Sequence, residues 1–321
     1  MNKLVTIWFL FVGLLAVNAQ YDIKTAERDR MAEAKVKTQI EYTHDYKNGT
    51  PSSQGYKSSV RKFNANGDIT EETNYNASDK IISVIVYQYN NKNERVNHER
   101  YQGNREKLQY SQKMVYDSKG NKIKEYGFDG VASYSNTYTY ENGKLVEMTY
   151  TLDNVVVEKR KLSYSGNKTE ILIFDANNEL IFKQVNAYTP QGLLVSEVKT
   201  DFQGNVVYML DLEYRDDGVL LSEARKRGDL LEYKKIYEYD TENRIIKEET
   251  INLEGERYVS HEYKYNDRSY LELEKWKKNN RSNGISSKKM TYDSKGIHSE
   301  VESYFASYKL HSLYKYTYEY Y

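Results

Sequence analysis

The stretch Met114-Val115-Tyr116-Asp117-Ser118-Lys119-Gly120 returns, with one change, as Met290-Thr291-Tyr292-Asp293-Ser294-Lys295-Gly296. Tyr-Asp-x-x-Gly reads as the end of a strand running into a tight turn. The ring belongs to the strand, the Asp side chain can bond its own backbone, and the Gly tolerates a positive φ. With the aromatic as anchor, looser copies stand at Phe63, Tyr89, Tyr140, Tyr164, Tyr188, Tyr214, Tyr239, Tyr265 and Tyr318. Successive anchors lie 26, 27, 24, 24, 24, 26, 25, 26, 27 and 26 residues apart. A period near 25 is the signature of a repeat architecture.

Each unit carries a second turn signal about midway between anchors, as in Gln102-Gly103-Asn104, Asp129-Gly130, Asp153-Asn154, Gln203-Gly204, Arg227-Gly228-Asp229 and Glu254-Gly255. Two turns per period leave two strands of roughly eight residues. The residues before the anchors alternate, as in Tyr87-Gln88-Tyr89, Tyr138-Thr139-Tyr140 and Tyr316-Thr317-Tyr318. Period two puts the rings on one face and the polar residues on the other. The expected fold is all-β: an antiparallel meander of about eleven β-hairpins forming a long twisted or curling sheet, with a short N-terminal helix.

The Tyr-Asp-x-x-Gly turns at 116–120 and 292–296, with looser versions at 214–218 and 239–243, resemble the YD repeats of the RHS family. The resemblance runs over about residues 60–321. It implies a spiralling sheet of hairpins of the kind that family uses in shells and extracellular scaffolds. The chain departs from the large RHS toxins in having no Asp-Pro-x-Gly release segment, no appended toxin and slightly longer units.

Three segments follow from the order of the chain. Residues 1–19 read as a secretory signal: Lys3, then an apolar run from Leu4 to Val17, then Val17-Asn18-Ala19 at the cleavage site. Residues 20–59 read as an N-terminal helix and linker. The helix is expected over 24–40, where Thr25 can cap and Ala32, Val36 and Ile40 stack at i+4 spacing. Residues 47–59, rich in Gly, Ser and Asn, read as a flexible connection. Residues 60–321 form the hairpin domain, and its last half-unit, 316–321, can close the array or offer its edge to another chain.

Composition narrows the function. The chain has 34 Tyr and only 2 Pro, a sign of thin, partly wet packing layers, because a tyrosine can lie half-buried with its hydroxyl in water. Formal net charge is zero, which argues against nucleic acid as a partner. An exported chain without cysteine uses no disulfides, which fits a bacterial product, periplasmic or extracellular or associated with the outer membrane. Neither a stable membrane span in the mature chain nor a cofactor is expected.

His44, His98, His261, His298 and His311 fall in no metal-ligand spacing, and no nucleophile elbow or phosphate loop appears. Glu71-Glu72 and Glu248-Glu249 point to opposite faces of a strand, so they read as solvated charges. Catalytic, cofactor-binding and metal residues are therefore assigned to none, and no enzyme is expected. The expected function is a non-catalytic exported scaffold that binds another protein of the envelope, in one version as a periplasmic subunit of an outer-membrane export or surface assembly. Its free strand edges would take the partner by β-augmentation. The alternatives are a secreted carbohydrate-binding module using exposed Tyr, and an outer-membrane β-barrel.

Overall fold

The computed structural model describes residues 23–279 and 284–321. The signal reading over 1–19 lies outside them. Strands end at the anchors, and the turns keep the expected chemistry. Asp117 Oδ1 accepts from the Lys119 and Asn121 N–H groups, Asp293 Oδ1 does the same for Lys295 and Ile297, and Gly120 and Gly296 sit at φ +89° and +80°.

The sheet is not open. From Tyr56–Phe63 onward each strand pairs antiparallel with its neighbours in sequence, and the two ends of the meander meet. Val36–Lys47 pairs on one side with Tyr56–Phe63 and on the other with Leu310–Tyr320, in a register that sets Gln39 beside Tyr318 and Ile40 beside Thr317. Twenty-two strands thus close into a barrel. This corrects the expected twisted or curling sheet: both edges that such a sheet would leave free are spent on each other. The two-residue strand Thr50–Pro51 pairs only with the end of Val36–Lys47, outside the wall.

The N-terminal segment departs from the helix expected over 24–40. The helix covers Ile23–Glu33 and stops where Lys35 takes φ +54°. From Val36 the chain is strand, not helix. Val36, Ile40 and the residues between them fit a two-residue alternation as well as an i+4 stripe, and pairing on both sides decides in favour of strand. The supposed linker likewise contributes barrel structure, as the start of Tyr56–Phe63.

The anchor tyrosines reveal what sets successive hairpins against each other. The hydroxyl of Tyr89 donates to the Ile69 carbonyl (3.0 Å), Tyr116 to Arg95 (3.2 Å), Tyr164 to Leu145 (2.7 Å), Tyr265 to Ile245 (2.9 Å), Tyr292 to Leu271 (2.7 Å) and Tyr318 to His298 (2.6 Å). Each bond ties an anchor to the start of the strand just before its own. Tyr321 carries the series across the seam by donating to the Phe63 carbonyl.

Such a ring has a radius on the order of 20 Å, wide enough for a lumen. The tyrosine face lines it. Side chains of that face on seven adjacent strands, among them His261, Trp276, Lys288, Tyr316, Glu41 and Arg61, converge on one pocket, which only a concave surface allows. The other face is charged. There Lys62 pairs with Glu71, Lys183 with Glu170, Lys247 with Glu238 and Lys315 with Glu300 across neighbouring strands. Among the described residues no helix is long and apolar enough to cross a membrane.

The turns after the anchors form one rim, here the near rim, and the midway turns form the far rim. The helix Ile23–Glu33 lies at the near rim. Its Met31 joins Val36, Phe63 and Ile297 in a buried cluster, with Tyr318 packed against it. Arg30 stands over the rings of Tyr270 and Tyr292.

Candidate functional site

Beside the helix, the lumen opens into a pocket of about 660 Å³. Its walls mix rings with charges of both signs: Trp276 and Tyr316, Glu41 and Glu274, Arg61 and Lys288. The register explains this. Glu41 faces Tyr316 across the seam, Glu274 faces Lys288, and His261 faces Trp276, all on the lumen face of adjacent strands. Arg61 donates to Glu72 at 2.8 Å and to the Gln39 side chain at 3.3 Å, which holds its guanidinium flat along the wall. Trp276 meets Phe305 edge-on, with ring centroids 5.6 Å apart.

The five histidines scatter. His261 and His298 line the pocket, and His98 stacks on Tyr87 with centroids 4.7 Å apart. His44 Nδ1 lies 2.8 Å from the Ser52 carbonyl oxygen, and His311 stacks on Tyr46 and contacts Glu302. Among the described residues no group of three or more His, Asp or Glu is set to hold a metal ion.

The two glutamate pairs do point to opposite faces, but their inner members are not solvated. Glu72 takes the Arg61 ion pair. Glu248 is buried and accepts from Ser260 at 2.8 Å, with Lys235 at 3.4 Å and His261 at 3.5 Å. Burial alone would raise its pKa, but His261, Lys235 and Ser260 hold it at about 2. Sequence reading missed Gln39, Arg61 and Trp276 as lumen residues. Only the position of Arg61 two residues before the Phe63 anchor, on the ring face, could have signalled it.

His298 is the site's proton-sensitive group. Burial lowers its pKa to about 4 against the pull of Glu27, 3.9 Å away, with Arg30, Lys288 and Arg61 pushing the same way as burial. Tyr292 and Tyr316 cover its ring. The unfolded chain takes up a proton near the ordinary histidine value that the folded site refuses, so this group withdraws stability as the pH falls from about 6.5 to 4. Glu248 adds to the loss at lower pH, because its depressed pKa stabilises the fold only while it is ionised. The melting temperature of His298→Gln should therefore fall less between pH 6.5 and 4 than that of the parent. Equal slopes would mean that His298 is not held neutral.

The chain matches no family model, and it matches no curated protein. Among solved structures it is similar to a chain of TcdB2-TccC3-TEV (12% identity, TM-score 0.30), covering 83% of this chain and 18% of that one. It is also similar to a porin-like protein from Bacteroides uniformis (8% identity, TM-score 0.31; 88% and 97% covered) and to one from Bacteroides vulgatus (11%, 0.28; 75% and 97%). At these scores the similarities fix no arrangement, and barrel closure rests on the strand pairing itself.

Proposed function

We propose that the chain is a non-catalytic barrel of the bacterial cell envelope that holds an extended segment of another protein in its lumen. The observation that carries this is closure: with both edges paired, a partner cannot add a strand to the wall, so recognition moves to the lumen. Charges of both signs among rings suit a polypeptide, with its mixed side chains and backbone dipoles. They suit a glycan less well, because many ring faces are already taken. Lys122 stands over Tyr138, Lys144 over Tyr164, Arg225 over Tyr208 and Arg244 over Tyr265, at 4.5–5.0 Å.

A second reading, a barrel spanning the outer membrane, is favoured by closure too, since only a sheet without edges can cross lipid. It asks for an apolar outer band, and Lys or Arg at the midplane costs about 2–4 kcal/mol each. Of the outward pairs, Lys183–Glu170 and Lys315–Glu300 lie away from the rims and weigh against such a band, while Lys62–Glu71 and Lys247–Glu238 sit beside the near rim.

One pair of measurements separates these readings. Mature barrel purified from its native envelope without detergent should carry a polypeptide guest, identified by mass spectrometry, and should give no steps of conductance in a planar bilayer. A barrel that carries only glycan, or conductance steps from a detergent-extracted barrel, would overturn the proposal.

A further inference from the structure

The two rims differ. At the near rim the turn centres hold polar or small residues, such as Asn91-Lys92, Ser118-Lys119, Asp216-Asp217 and Asp267-Arg268. At the far rim, large apolar side chains stand in the turns or within one residue of them. Val131 is 91% exposed, Tyr308 84%, Phe202 68% and Leu230 67%, joined by Val155, Leu253 and Ile285. They occupy most of the consecutive far-rim turns from 129–132 to 306–309. The far-rim turns at 48–55, 76–80 and 103–106 are polar. The apolar tips therefore form one broad arc of a ring.

We infer that this arc is a membrane-contact surface, on which the barrel seats rim-down against a phospholipid bilayer. Three features choose lipid over a second protein. The apolar residues come about one per tip, and tips two strands apart lie roughly 10–13 Å from their neighbours, too sparse to build the contiguous core of a protein interface. Val131, Phe202, Leu253 and Tyr308 stand within their turns, Val155 and Leu230 open the strands that follow theirs, and Ile285 directly precedes one; polar or charged residues lie beside or near each. Asp201 precedes Phe202, Arg227 and Asp229 flank Leu230, and Lys309 follows Tyr308. One side chain's depth of insertion thus puts the ring in the acyl region and leaves the turn backbone among headgroups. Finally, the apolar tips all lie at one end of the closed ring, the end that would meet a flat surface. The contact depends on apolar insertion rather than on charge, because the chain is formally neutral.

Flotation of the mature chain with phosphatidylcholine–phosphatidylethanolamine vesicles tests this. The chain should float, equally at low and high salt, and a variant combining Phe202→Ser, Leu230→Ser, Leu253→Ser and Tyr308→Ser should partition roughly a hundredfold less with an unchanged melting temperature. Ile123→Ser, at the near rim, should float as the parent does. No flotation by the parent, flotation abolished by salt, or a concentration-dependent dimer in sedimentation equilibrium that the fourfold variant abolishes would each overturn the inference. The last would assign the rim to a second copy. None of these outcomes depends on what fills the lumen.

Discussion

A chain ending at residue 309 should give no cooperatively folded monomer. In an open meander the last strand is one among many, and its removal would cost a local increment, because each unit packs only on its neighbours. In the closed ring, Leu310–Tyr320 pairs with both His298–Phe305 and Val36–Lys47. Its loss exposes two edges at once and strips Met31, Val36 and Phe63 of the Tyr318 ring packed on their cluster. Exposed edges of this length seek other chains. The truncated protein should elute as aggregate and lose its urea transition, read from the fluorescence of Trp276, the single tryptophan after residue 19. A monomer with a transition near the parent's would show that the last strand is not a seam.

Tyr318→Ala should cost about 3 kcal/mol, the scale of removing a packed aromatic ring. Tyr188→Ala, in mid-chain, should cost less. For an open sheet the order would be reversed, with terminal rings peripheral and central rings core. Closure makes the ends the best-supported part of the wall. Tyr318 donates to the His298 carbonyl, accepts from the Gln39 side chain at 3.0 Å, and packs against the helix cluster. Tyr318→Phe keeps the ring and loses only the hydroxyl bonds, so about 1 kcal/mol is expected. Urea titrations of the three variants check this. A larger loss at Tyr188 than at Tyr318 would contradict the packing described at the seam.

The hairpin beat was legible because tight turns leave marks in composition: Asp117 and Gly120 are there for reasons confined to five residues. The ring face was legible because period two needs only neighbouring residues. Closure was not. Ile40 beside Thr317 is a pairing of residues 277 apart, and nothing local to either records it. The strand that makes the seam also mimics a helix, with Ala32, Val36 and Ile40 at i+4 spacing. The lumen pocket was hidden for the same reason, since Glu41, Arg61 and Lys288 meet only when the ends of the chain do. The far-rim tips were visible letter by letter as Val131, Phe202 and Leu230. Their meaning needed a ring to stand on.

The seam can be tested directly because the chain contains no cysteine. Ile40→Cys with Thr317→Cys places two thiols on directly paired residues, at a Cα separation of roughly 4.5–5.5 Å that a disulfide can bridge. On mild oxidation of the dilute mature protein, peptide mapping should recover one linked peptide joining residues 40 and 317 within a single chain. Recovery of only free thiols, or of linkage only between chains, would show that the first and last strands do not meet.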